Sequence, residues 1–483
     1  MGELGPEARK FGKFLAASGQ KLWQILPTGP IGAGFSPYSS SSAFAGNPLL
    51  ISFDELIEEG LLSRRNLSRF PKFDPHKIDF PAVIEARMKI LNGVCERFKP
   101  TKAFREFCKQ EAYWLDEYAL FVSIREVHKN CPWADWPEAL RDHDFQALET
   151  FSKKHASAIR KHKVLQYLFS KHWKKMRNFF QGLDISIVGD LPIFVAGDSV
   201  DVWANRELFF LNADGTASVV AGVPPDYFSE TGQRWGNPLY DWAAHRATGY
   251  KWWAERMHRT FEMVDVVRID HFRAFEDYWE IPADEPTAIK GRWVKGPNLE
   301  FFQTLEKNLR KFPRFEKKFR LADHVIAEDL GEITAKVRKL RKECDFLGMT
   351  VLHFQFGEKE MKRRGYRPEG RAENQVVYTG THDNETTRTW FKHLDRREQK
   401  RVLSCLESDG KKIHRDLGAL ALRSPAKWAI LPLQDVLGKG RRMNRPSTTH
   451  GNWSWRFSED MITTGTVAWL KKLTEETDRE NRR

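Results

Sequence analysis

Long apolar runs are missing from this chain. Nowhere do about 18 apolar residues follow one another, the length a membrane-crossing helix needs. The opening stretch MGELGPEARKFGKFL also lacks the apolar core of a secretion signal. Cysteine is scarce: Cys95, Cys108, Cys131, Cys344 and Cys405 are widely scattered, with no CxxC pair. An odd, dispersed set excludes a disulfide framework and gives no thiolate metal site. Calcium-loop spacing, internal repeats and low-complexity linkers are absent as well. Net charge is 78 − 65 = +13. The cations are spread through amphipathic stretches such as KHWKKMR (171–177) and never gathered with aromatics in one tract, which argues against a nucleic-acid partner. The expectation is a soluble, cytoplasmic protein with reduced thiols, no membrane association and no nucleic acid.

What is present is an ordinary globular composition over 483 residues, 41% hydrophobic and 30% charged, with 17 tryptophans. Flat indoles suit sugar rings, but they fill cores equally well. More telling are seven short apolar runs that end in polar residues. They are KLWQILPTG (21–29), ISIVGDLP (185–192), VDVVRIDH (264–271), HVIAEDLG (324–331), TVLHFQF (350–356), VVYTGTHDN (376–384) and WAILPLQD (428–435). Each is too short for a helix and lies between amphipathic segments, the pattern of a parallel strand buried on both faces. The predicted fold class is α/β: a single catalytic (β/α)8 TIM barrel over 1–483 with one strand unaccounted for. Residues 54–182 read as a mostly helical insertion, since 104–130 and 158–180 carry apolar residues at helical spacing. Residues 194–260 read as a loop-rich insertion over the rim, and 280–320 as a third insertion.

Four acids, Asp190, Asp270, Glu328 and Asp383, fall at the C-terminal ends of these runs, the pole where such barrels build their sites. Cleaving a glycosidic bond with retention needs two carboxyls about 5–5.5 Å apart, one ionised and one protonated. Arg268 and Asp270 lie two apart on one strand and so share a face. A guanidinium there would keep Asp270 ionised, although a purely structural ion pair has the same signature. Glu328 is either a chemical acid or a cap for the following helix, a task that Asp329 fills equally well. Asp383 with His382 suits sugar hydroxyls, although HDN also reads as a turn. The separations, 328 − 270 = 58 and 383 − 328 = 55, each exceed one strand–helix unit, so an insertion and an intervening strand are required.

Taken in order, RIDH (268–271), AEDLG (327–331) and GTHDN (380–384) resemble three of the motif regions of the α-amylase clan, and GDLPIFVAGDSVDVW (189–203) resembles the remaining one. FSPYSSSSAFAGNPLLIS (35–52) and GVPPDYFSETGQRWGNPLYDW (222–242) narrow this to the 4-α-glucanotransferases of glycoside hydrolase family 77. The resemblance covers nearly the whole chain. It implies a retaining transferase that moves α-1,4-glucan segments between maltooligosaccharides, with glucose as an acceptor. It further implies Asp270 as nucleophile, Glu328 as acid/base and Asp383 as the third acid. Arg268 then supports the nucleophile, and His271 and His382 touch substrate. Gln233 and Trp235 then lie in a lid over 222–238, Ser36 and Tyr38 on the donor side, and Asn444 is a further contact; no metal or organic cofactor is implied. Two departures accompany it: a strand ahead of the GELGPEA-like segment is expected to be missing, and Ser447 stands where the family usually has glycine. The competing readings are an α-amylase-like hydrolase and a catalytically impaired glucan-binding homologue.

Overall fold

Each of the seven apolar runs overlaps a short strand, although TVLHFQF (350–356) supplies only Thr350 and Val351 to one and turns into a 3-10 helix at Leu352–Phe354. The computed structural model describes residues 2–479 except 226–228, 316, 366, 371 and 440. In chain order the strands are β1 (Leu22–Gln24), β2 (Ser186–Pro192), β3 (Val219–Val223), β4 (Gln233–Pro238), β5 (Val266–Asp270), β6 (Asp277–Pro282), β7 (Arg292–Lys295), β8 (Val325–Ala327), β9 (Gly348–Val351), β10 (Gln375–Tyr378) and β11 (Trp428–Ile430). Seven of them run parallel, in the order β1-β2-β5-β8 and then β9-β10-β11. The two groups join through a parallel bridge between Ile326 and Leu347, where the Ala327 amide donates to the Leu347 carbonyl at 2.8 Å. Burial on both faces explains the unbroken apolar runs: Val266, Val267 and Ile326 lie on or near zero exposure. The register sets Asp190 opposite Arg268 and Pro192 opposite Asp270, a pairing that no local pattern announces.

Among the described residues no strand pairs with the free edge of β1 or of β11. A cavity of about 1140 Å³ lies between these edges, walled by Leu22, Trp23, Ala429, Ile430, Phe11 and Phe14, and it reaches Arg268 and His382.

Between β1 and β2 the chain is largely helical. The segment 104–130 is not one helix: Lys102–Gln110 gives way to Ala112–Val127 at Glu111, whose carboxylate accepts the Trp114 indole N–H at 2.6 Å. The long helix Ala156–Gly182 packs against Ala112–Val127, and Phe121, Leu168, Phe169 and Phe180 are fully buried. No helix among the described residues is long and apolar enough to cross a membrane.

The stretch expected as lid and loops is partly a sheet. β3, β4, β6 and β7 form an antiparallel sheet in the order β4-β3-β6-β7. Only part of the 222–238 lid is covered here, since 226–228 lie outside the described residues. The hairpin depends on Gly222, where a Cβ would sit 2.2 Å from the Gln233 carbonyl oxygen and 2.6 Å from Ile281 Cδ1. Its strands, VVAGV and QRWGNP, lack the two-residue alternation that reveals a half-buried strand, so the sequence hides them.

Candidate active site

The buried centre is a guanidinium between two carboxylates. Arg268 Nη1 donates to both oxygens of Asp190 at 2.8 and 2.9 Å, while its Nη2 lies 2.9 Å from Asp270 Oδ1. The Asp190 side chain is wholly buried, whereas a third of Asp270's faces open space. Tyr38 Oη also donates to Asp190 Oδ2 at 2.7 Å. Asp190 therefore has its lone pairs occupied and serves as an anchor, while Asp270 keeps free lone pairs at the mouth. A planar fork can hold two carboxylates in fixed directions, which a lysine could not do.

Glu328 follows β8 and accepts two backbone amides: His271 N to Oε2 and Leu330 N to Oε1, both at 2.8 Å. His271 sits in left-handed backbone (φ 53°), unusual for a non-glycine residue, and this turn aims its amide at Glu328. The Glu328 carboxyl thus meets the backbone of the residue after Asp270. Burial pushes the Glu328 carboxyl up to about 7; Arg268 opposes this and Asp270 adds to it. Asp270 is also raised by burial, but it holds Arg268 in direct contact. Of the two, Glu328 is the one whose surroundings favour the proton, while the Arg268 guanidinium favours the charged form of Asp270. His271 is pulled down to about 4 by burial and is neutral.

The expected cap role of Asp329 is corrected. Its carboxylate accepts the Met349 amide at 2.7 Å and pairs with Arg341 at 3.1 Å, while Thr334 caps the helix Ala335–Glu343. A buried cation and an unsatisfied strand amide outcompete a distant helix end.

Asp383 lies beyond β10. His382 Nε2 is 3.3 Å from its Oδ2, and Asn444 Nδ2 donates to its Oδ1 at 2.7 Å. Burial would raise this carboxyl, but the imidazole and the amide overrule it and hold it at about 2. His382 also meets Tyr38 Oη at 3.0 Å, with the two rings stacked. Tyr38 therefore ties the Asp190–Arg268–Asp270 group to the His382–Asp383 pair. Asn444 joins the acids directly, whereas Ser36 only accepts the Tyr38 amide at 3.2 Å and stands behind them. Trp235 meets the His271 ring edge-on at 4.7 Å, and its indole N–H donates to Gln233 Oε1 at 3.2 Å.

Sequence reasoning missed Arg442, which donates to the backbone carbonyls of Asp383 and Asn444 and so pins both loops together. Nothing in RRMNR marks it out. It also left Asp435 unassigned, although that acid ends a predicted strand run. Asp435 accepts Thr379 Oγ1, Thr387 Oγ1 and the Thr387 amide within 2.6–2.7 Å beneath the Asp383 loop.

Comparison with known proteins bears on this geometry. A family model described as 4-alpha-glucanotransferase, of glycoside hydrolase family 77, matches residues 1–463. The 4-alpha-glucanotransferase of Synechocystis is 42% identical over 489 residues, spanning 98% of this chain and 94% of the relative. That of Thermus thermophilus is 41% identical, spanning 99% and 96%. Among solved structures, the amylomaltase of Streptococcus agalactiae in complex with acarbose superimposes with a TM-score of 0.92 at 34% identity, over 99% of this chain and 96% of that one.

Proposed function

Because the chain belongs to the 4-α-glucanotransferases of glycoside hydrolase family 77, we propose that Asp270, Glu328 and Asp383 perform its transfer by retaining double displacement. The substrates are maltooligosaccharides and longer α-1,4-glucans, with glucose as the smallest acceptor. Asp270 attacks the anomeric carbon while Glu328 gives its proton to the leaving 4-oxygen. A covalent glycosyl ester on Asp270 results, and the shortened glucan departs. Glu328, now a carboxylate, takes the proton from an acceptor 4-hydroxyl, whose oxygen displaces Asp270 and restores the α-linkage. Asp383 accepts sugar hydroxyls whose acidity rises as the ring becomes cationic, and His382 donates to a neighbouring one. Arg268 steers Asp270, and Asp190 and Tyr38 hold Arg268.

One observation carries this reading. Glu328, pushed up to about 7, accepts the amide of the residue that follows Asp270, which is ion-paired with Arg268. Two carboxyls in one mouth, with opposite protonation, are the requirement of the chemistry. Transfer over hydrolysis follows from position: oriented acceptors reach effective molarities of about 10⁵–10⁸ M, enough to outrun water. The hairpin bearing Gln233 and Trp235 supplies that orientation, and Ser36 and Tyr38 contact the donor side.

We read the seven parallel strands as staves of a (β/α)8 TIM barrel. The supporting features are the parallel order and the cavity between the free edges of β1 and β11, which has room for one more strand.

Maltotriose tests the function. Longer oligomers plus glucose are expected, and products no longer than the substrate would favour a hydrolase. Asp270→Asn should lower transfer by about 10⁴-fold with an unchanged melting temperature.

A further inference from the structure

Nine large apolar side chains are markedly exposed among the described residues, and three of them, Trp235, Ile289 and Trp293, sit on or beside the β4-β3-β6-β7 sheet. Trp235 and Trp293 stand on opposite edges of that sheet, β4 and β7, so each exposed indole needs its own occupant. Trp235 is already accounted for by its contact with His271. Trp293 is not. It lies on the edge strand β7, directly opposite Trp279, whose ring meets it edge-on at 5.1 Å. One indole face is covered by the Arg273 guanidinium, 4.0 Å from the ring centroid. Even with that guanidinium in place, 40% of the residue is exposed to water.

Two sets of bonds tie this indole to the site. Arg273 lies two residues after His271 and donates to the Glu332 carbonyl at 2.6 Å, in the loop whose Leu330 amide holds Glu328. On the other side, the Trp279 indole N–H donates to the Ala288 carbonyl at 2.9 Å, and the Ala288 amide donates to Thr231 of the hairpin that carries Trp235. The platform is therefore continuous with both the acid/base loop and the lid hairpin. Sealing Arg273 would require only the covered face, and any bulky side chain would do it.

We infer that Trp293, with exposed Ile289 on the segment that leads into its strand, is a distal subsite that stacks a glucosyl unit of a long α-1,4-glucan several residues from the bond being exchanged. A cation behind an indole leaves the far face available to the apolar C–H face of a sugar. Lys295, two residues on along the same strand, is exposed on the same face and can donate to ring hydroxyls, whereas Arg292 is held by Glu280 on the other face. This assignment rests on the transferase reading above. It predicts a preference for long over short chains that is separable from the chemistry.

The test is the ratio of kcat/KM for long amylose to kcat/KM for maltotriose, in the unchanged enzyme and in Trp293→Ala, Trp293→Phe and Ile289→Ser, with melting temperatures read alongside. Trp293→Ala should lower the ratio by about fivefold, the loss of one aromatic contact. Trp293→Phe should keep at least half of it, and Ile289→Ser, which leaves Arg273 covered, should lower it by about twofold. A ratio equal to that of the unchanged enzyme in Ile289→Ser and in the folded Trp293→Ala protein overturns the subsite. So does an equal loss in Trp293→Phe and Trp293→Ala, since stacking would then not be the cause. If the unchanged enzyme makes no ladder from maltotriose, the transferase reading itself falls; a ladder with an unaltered ratio defeats only the subsite.

Discussion

Two carboxylates meet Arg268, and their fates differ because of what else touches them. Asp190 is buried and receives three hydrogen bonds, so removing its charge leaves a guanidinium in a dry place with half its partners. Asp190→Asn should cost about 3–5 kcal/mol of stability, read by denaturant unfolding, and should cut kcat as Asp270 loses its fixed orientation. Glu328 supplies the pH dependence. Its folded-state value of about 7 lies above the ordinary 4.5, so the folded chain holds a proton that the unfolded chain has released. The stability this brings is complete below the ordinary value and is lost as pH rises to about 7. Glu328→Gln cannot lose that proton, so its stability relative to the unchanged protein should climb between these two values and level off above them. In the proposed mechanism the same proton is given to the leaving group, so kcat should fall as pH rises past about 7. A descending limb that persists in a residual-activity profile of Glu328→Gln would assign it to another group.

At the level of elements, the hairpin of β3 and β4 has the narrowest tolerance. Gly222 has no room for a methyl group, because the Gln233 carbonyl and Ile281 already occupy that space. Gly222→Ala should displace the strand that carries Trp235 while leaving the acids in place. Its expected signature is a several-fold drop in the ratio of transfer to hydrolysis, with Asp270 chemistry retained; Trp235→Ala should move the ratio the same way. Product analysis with maltotriose measures both. If the ratio stays constant in both variants, the hairpin does not select the acceptor. The parallel strands could be located from sequence because double burial forces apolar runs, whereas this hairpin, with its glycines and mixed exposure, could not.

Across the whole molecule, packing is uneven. The helical region around Phe121 is dense: Phe121 is fully buried with Trp136 and Trp203 rings 5.2 and 5.6 Å away. The strand residues that wall the cavity between β1 and β11, Leu22, Trp23, Ala429 and Ile430, are only half-buried. Phe121→Ala should cost about 3–5 kcal/mol, and Leu22→Ala at the cavity wall under about 2 kcal/mol, since a side chain beside an existing void has fewer contacts to lose. Chemical denaturation of the two variants checks the order, and equal losses would mean the cavity closes in solution.

By itself the sequence determined the strands and the acids proposed to carry the chemistry. Strand ends, the two-residue spacing of Arg268 and Asp270, and the motifs RIDH, AEDLG and GTHDN are local features, fixed by the alternation of a strand and the burial of its faces. Tertiary structure alone decided which of these groups meet. The register of β2 on β5 brings Asp190 to Arg268, and the left-handed turn at His271 turns an amide toward Glu328. Tyr38, Asn444 and Arg442 arrive from loops tens or hundreds of residues away in sequence. Contacts between distant segments are set by the geometry of packing, which leaves no periodic trace in the chain.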